Sequence, residues 1–181
     1  GVKEFSPISR LANLKVIRAV FAKIENIYIT MPGLERVYVD GTVVDDTRAR
    51  MFLDKNPKCL LVYKSDKLKQ WWGNLPVGWK DIFRKQAGVK SDITPEALHR
   101  LIEMDELSAS DEPVSDLEPL GEFIRLRSLS LHGTALTSVS PPLSLLSLKS
   151  LRLSGGPLID TESLSQFAEL EELDISNTPV E

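Results

Sequence analysis

The sequence predicts an α/β solenoid: stacked coils that each lend one short strand to a concave parallel sheet, with a helical hairpin inserted between the two halves. Three observations carry that prediction. Apolar anchors recur every 22 residues in the second half. Each anchor is followed by a brief alternation of apolar and polar residues, the period of a half-buried strand. The pattern breaks over 66–93, where all three tryptophans of the chain fall at helical spacing.

Taken from the N-terminus, Ile8 and Leu11 lead into a coil at Leu14, Ile17, Ala19 and Ile24, and the next coil, 20 residues on, reads Leu34, Val37, Val39, Thr42 and Val44. Asp46 to Lys55 then reads as a helix with Met51 and Phe52 on its apolar side, stopped by Asn56-Pro57. Cys59 to Tyr63, the longest uninterrupted apolar run, is a strand. The interval from Pro57 to Met104 is 47, one repeat of 22 plus about two dozen further residues, which points to an insertion. Inside it Leu68, Trp71, Trp72 and Leu75 share one helical face, and Trp79, Ile82 and Phe83 share another after the Pro76-Val77-Gly78 break.

The second half opens weakly at Met104, Leu107, Ala109 and Val114 and then becomes regular. Its coils read Leu126, Leu129, Leu131, Thr134, Leu136; Leu148, Leu151, Leu153, Gly156, Leu158; and Leu170, Leu173, Ile175, Thr178, Val180. Apolar residues stand three and six positions before most anchors, as Leu101 and Leu98, Phe123 and Leu120, Leu145 with Pro142, and Phe167 and Leu164. One coil cannot bury such a wedge alone, whereas stacked coils make it continuous. The organisation is therefore 3–65 and 94–181 as repeats, with 66–93 inserted.

Composition narrows the function classes. With 42% hydrophobic and 27% charged residues the chain folds rather than staying disordered. No apolar run approaches the roughly 18 to 20 residues that span a bilayer, so no membrane insertion is expected. Residues 55–90 hold 9 Lys/Arg against 2 Asp/Glu, but 91–181 hold 5 against 17, which argues against a nucleic-acid groove along the molecule. The N-terminus shows no charged leader with an apolar stretch, so any export signal is absent or already removed.

Chemistry finds few candidates. Cys59 is the one cysteine, without a histidine near it in sequence, and cannot form an intramolecular disulfide. His99 and His132 belong to different repeats, one on the return side and one on a strand, and have no ligand-spaced partner. Gly155-Gly156 lacks the Lys-Ser/Thr of a phosphate loop, and the acidic residues follow no calcium-loop spacing. No catalytic residue, metal or cofactor is expected.

Val114-Ser-Asp-Leu-Glu-Pro-Leu120, running through Phe123 into Leu126-Arg-Ser-Leu-Ser-Leu131, resembles the 22-residue repeats of bacterial leucine-rich-repeat proteins of the internalin type. Phe5-Ser-Pro-Ile8 repeats the same step. Thr42, Thr134 and Thr178 stand where that family has asparagine, and a hydroxyl can make some of the same turn bonds to backbone. The resemblance implies a concave parallel sheet and protein recognition without catalysis; the compartment stays open, with the cell envelope or secretion favoured over the cytoplasm.

Outward strand positions then define where a partner sits. The first three coils give Val16, Arg18, Val20, then Arg36, Tyr38, Asp40, then Cys59, Leu61, Tyr63, while the last four expose mainly serine. Exposed apolar and tyrosine-rich patches mark interfaces, so Val16, Arg18, Arg36, Tyr38, Leu61 and Tyr63 form the expected protein-binding surface. Folding of the hairpin over that patch would turn it into core. Trp71, Trp72 and Trp79 supply an alternative, a carbohydrate-binding platform if their rings are exposed and coplanar, ringed by Lys64, Lys67, Lys69, Lys80, Arg84, Lys85 and Lys90. The same rings otherwise serve as the packing that docks the hairpin. Neither end carries a polar cap, which predicts a longer repeat array or self-association through the open ends.

Overall fold

A computed structural model of the chain describes residues 3–88 and 93–180. Lys90 and Glu181 lie outside the described residues. The fold is mixed α/β, with two parallel sheets, of three and four strands, and four α-helices among the described residues. It divides into two compact units, Gly1–Trp71 with Ile93–Arg100, and Trp72–Asp92 with Leu101–Glu181.

In the first unit β1 (Val16–Arg18), β2 (Arg36–Tyr38) and β3 (Leu60–Val62) pair in that order, all parallel. Between β2 and β3 runs α1 (Asp46–Lys55), with the bounds its sequence predicts. Asp45 caps it, its carboxylate accepting from the Arg48 amide at 2.8 Å. Asn56 ends it and is buried: its Oδ1 accepts from the Met31 amide at 2.8 Å and its Nδ2 donates to the Ile29 carbonyl at 2.7 Å. One side chain thus stops the helix and ties it to the preceding extended segment.

The register of β3 corrects the sequence reading. Leu61 pairs with Val37, and Leu60 and Val62 stand opposite Arg36 and Tyr38. Leu61 and Tyr63 therefore occupy core-facing positions, at 0% and 4% exposure, and the outward positions are Leu60 and Val62. Alternation fixes which face a strand turns inward, and five apolar residues in a row carry none.

The second unit holds α3 (Val77–Ala87) and β4 (Glu106–Ser110), β5 (Ser128–His132), β6 (Ser150–Ser154) and β7 (Glu172–Asp174). These strands pair in chain order and in parallel, and Glu106, Ser128, Ser150 and Glu172 stand opposite one another at steps of 22. The alternation is clear in β5 and β6, whereas Ala109 of β4 is half-buried and Leu173 of β7 is exposed. Leu107, Leu129, Leu131, Leu151 and Leu153 are buried, and the serines between them face outward. Short 3-10 helices at Glu118–Glu122, Leu143–Leu145 and Glu162–Gln166 make the return segments.

Two helices complete the fold. The segment expected to form the hairpin carries α2 (Ser65–Asn74) and α3, with a break at Leu75-Pro76, and the two compact units divide within α2, after Trp71. The start of α2 is fixed by Asp40, which accepts from the Ser65 amide at 2.8 Å and from its hydroxyl at 2.7 Å. The fourth, α4 (Pro95–Ile102), occupies what the sequence reads as an ordinary return segment holding Leu98 and Leu101. Thr94 caps it by accepting from the Ala97 amide at 3.2 Å.

One turn position repeats in both units. Phe21, Gly41, Asp111, Gly133, Gly155 and Asn177 have φ between 54° and 69°, and each stands seven residues after its anchor. Strand pairing runs on through this turn, as the Phe21 amide reaches the Asp40 carbonyl at 2.7 Å and the Gly133 amide reaches the Ser154 carbonyl at 2.9 Å. Left-handed backbone suits glycine, and asparagine or aspartate next best. Only Phe21 departs from that set.

Candidate interaction surface

The expected surface is only partly open. Val16 is 37% exposed, and Arg18 and Arg36 are exposed, all three on the outward face. Tyr38 shares that face but is buried, forming a cluster with Leu60 and Val62. The Arg18 guanidinium lies 4.0 Å from the Tyr38 ring centroid, and the Tyr38 hydroxyl reaches Glu96 of α4 at 3.3 Å. A helix that sequence periodicity does not announce thus supplies one partner of the buried tyrosine, beside Leu60, Val62 and Arg18.

Leu61 and Tyr63 are not part of any outward patch. Tyr63 turns its ring edge to His99, with centroids 5.6 Å apart, and its hydroxyl hydrogen-bonds Asp46 at the start of α1. Burial pushes the pKa of Asp46 up, but hydrogen bonds from Lys64 and Tyr63 outweigh it and hold the carboxyl below its ordinary value. His99 is buried, with Nδ1 2.7 Å from the Pro95 carbonyl and Nε2 accepting from the Tyr63 amide at 3.2 Å. Burial pushes its pKa down, so the neutral imidazole serves as a structural plug.

The tryptophans do not form one exposed platform. Trp79 is buried, its ring 5.3 Å from Phe83 and its Nε1 donating to the Asp116 carbonyl at 3.0 Å. Phe83 in turn stacks on Phe123 at 5.4 Å. Trp71 and Trp72 are half-buried, and Lys80 and Arg84 each lie 6.0 Å from the Trp72 ring. The coplanar carbohydrate surface needs Trp79 exposed, so packing wins.

The residue that sequence reasoning missed is Phe21. It is 82% exposed with φ of 54°, and its ring fills the space a Cβ at Gly41 would occupy. A bulky side chain in the left-handed region costs about 1 to 2 kcal/mol. The cost is not offset by burial. Its neighbour in sequence, Val20, is 43% exposed, so Val16, Val20 and Phe21 give one edge strand and its turn an apolar border beside Arg18. Aligning position seven of every coil would have revealed it, as the one aromatic among glycine, aspartate and asparagine.

The outward face of the four-stranded sheet is polar. The His132 Nδ1 lies 3.1 Å from the Ser154 hydroxyl, and Glu172 takes Ser150 at 2.9 Å and Arg152 at 2.6 Å. Among the described residues no group of three or more His, Cys, Asp or Glu side chains is placed to hold a metal, and no helix is long and apolar enough to cross a membrane. Protein-family models give no match to the chain, and neither do the curated proteins at a significant level.

Proposed function

We propose that the chain is a non-catalytic protein-binding scaffold, built as a leucine-rich-repeat solenoid whose outward strand face is the concave one. The 22-residue register from β4 to β7, which stacks Leu107, Leu129, Leu151 and Leu173 between polar outward residues, supports the architecture. The binding surface is the border of the first coil, Val16, Arg18, Val20 and Phe21, with Arg36 beside it. This replaces the wider patch, because Tyr38, Leu61 and Tyr63 are buried.

The observation that carries the reading is Phe21: an exposed aromatic held at a backbone conformation that costs energy and gives little packing in return. Strain of this kind is retained where a side chain is displayed for recognition. Aromatic anchors beside an arginine are also the residues that dominate protein interfaces.

A photo-crosslinking phenylalanine analogue placed at position 21, and separately at position 130, tests it in an extract of the source cells. The expected result is a discrete adduct with another protein from position 21 and none from the serine face. Equal labelling at both positions, or an adduct of the chain with itself alone, would sink the reading.

A further inference from the structure

On the return side of the first unit an open groove of about 250 Å³ runs between two consecutive coils. It is bounded by Tyr28, Ile29 and Thr30 of an extended segment and by Met51, Phe52 and Lys55 of α1. Ile29 and Phe52 are buried and form its floor, whereas Tyr28 and Met51 stand 46% and 49% exposed at its walls. Met51 and Lys55 are four residues apart on α1, and Phe52 and Lys55 three, so the helix presents all three on one side.

The width of the groove is set by Asn56. Its side chain accepts from the Met31 amide and donates to the Ile29 carbonyl on one wall, and donates to the Phe52 carbonyl at 3.0 Å on the other. Asn26 fixes the backbone of the tyrosine, its Oδ1 accepting from the Tyr28 amide at 2.7 Å. A groove held in this way needs little ordering when it is filled.

Two polar groups overlook the apolar bed. The Tyr28 hydroxyl donates to the Met51 Sδ at 3.5 Å, and a thioether is a weak acceptor that an oxygen readily replaces. Lys55 is exposed and, among the described residues, forms no ion pair. No carboxylate lines the groove, so its one side-chain charge is positive. An ammonium and a hydroxyl over hydrocarbon match a single carboxylate on an apolar body; an amine there would meet repulsion. The volume falls below the roughly 300 to 1,000 Å³ of sites for drug-sized ligands, which limits that body to about one aromatic ring with a short chain.

We propose that this groove binds a small apolar monocarboxylate, its body on Ile29, Met51 and Phe52 and its carboxylate accepting from the Tyr28 hydroxyl and the Lys55 ammonium. Met51 adapts to the body, because an unbranched thioether changes rotamer easily and packs well on aromatic rings. The Tyr28 hydroxyl exchanges a sulfur acceptor for a charged oxygen, the stronger partner. None of these residues belongs to the Phe21 border, so the two readings fail separately.

Titration of the chain, isotope-labelled in its methionine methyl groups, with phenylpropionate is the test. The Met51 methyl signal, identified by its loss in Met51→Leu, is expected to shift saturably with a Kd of roughly 1 mM, as suits so small a ligand. Lys55→Gln should weaken binding about fivefold, the upper range for an exposed charge pair. Tyr28→Phe should weaken it about threefold through the lost hydrogen bond. Phenylpropanol, the same body without the charge, should bind about fivefold more weakly than the acid, and phenylpropylamine not measurably. The capped peptide acetyl-Glu-Phe-Glu-amide should also bind more weakly than the free acid; tighter binding by the peptide would assign the groove to a protein partner and overturn the proposal. So would an absent or unsaturable shift, an affinity unchanged in Lys55→Gln, or a Met51 signal that moves with protein concentration alone, the mark of a second copy.

Discussion

A buried histidine with both ring nitrogens engaged keeps its bonds in only one protonation state. The Pro95 carbonyl can only accept and the Tyr63 amide can only donate, so His99 carries its proton on Nδ1 and a lone pair on Nε2. A second proton would set two donors face to face in a site without water access. Because burial lowers the folded-state pKa, the contribution of His99 to stability is fully present above the unfolded value of about 6.5 and is lost as pH falls below it. Thermal melts should therefore show a midpoint that drops between neutral and mildly acidic pH. His99→Gln should lower the midpoint at neutral pH and flatten the dependence over that interval; an unchanged slope would mean that other groups drive it.

At the scale of the element, the strands of the second unit are the part most legible in the sequence. Leu129 and Leu131 alternate with Ser128 and Ser130, so the inward face is unambiguous, and the structure places them accordingly. The helix α1 was equally readable, because Asp45 and Asn56 mark both ends. Cys59 to Tyr63 was not, since an all-apolar run leaves the register to its surroundings. α4 was hidden because Leu98 and Leu101 fit a return segment as well as a helix. Its presence cost the sequence reading Tyr38, which a side chain of that helix touches. Phe21 is not legible within its own coil, because only its left-handed turn position, shared with Gly41, Asp111, Gly133, Gly155 and Asn177, sets it apart from an ordinary apolar residue.

The stacked leucines allow a graded prediction. Leu129→Ala and Leu151→Ala should each cost about 2 to 5 kcal/mol, because both delete a fully buried side chain from the middle of a sheet. Ser130→Ala should cost almost nothing. Leu173→Ala should fall between them, because that leucine is 44% exposed. Denaturant unfolding of the four variants checks the order. Equal losses at Leu129 and Ser130 would mean that the inward and outward faces are misassigned.

Across the whole molecule, the surface left for a partner is defined by what the fold covers. Burial of Tyr38, the slip of β3 and the packing of Trp79 remove most of the aromatic residues that the sequence offers as contacts. The serine-bearing strands present small polar groups that satisfy one another, and such surfaces contribute little binding energy. What remains is the first coil, where an arginine, two valines and a phenylalanine stand together at an edge.

The measurement that bears most directly on this account is made on Phe21→Gly, with unfolding free energy and affinity for the crosslinked partner determined on the same preparation. Glycine accepts the left-handed backbone without strain, and little buried surface is lost, so stability should rise by about 1 kcal/mol. Affinity should fall at least roughly tenfold, the loss expected when an interface anchor is removed. A variant that gains stability and binds as well as the wild type would contradict the claim that the strain is kept for recognition.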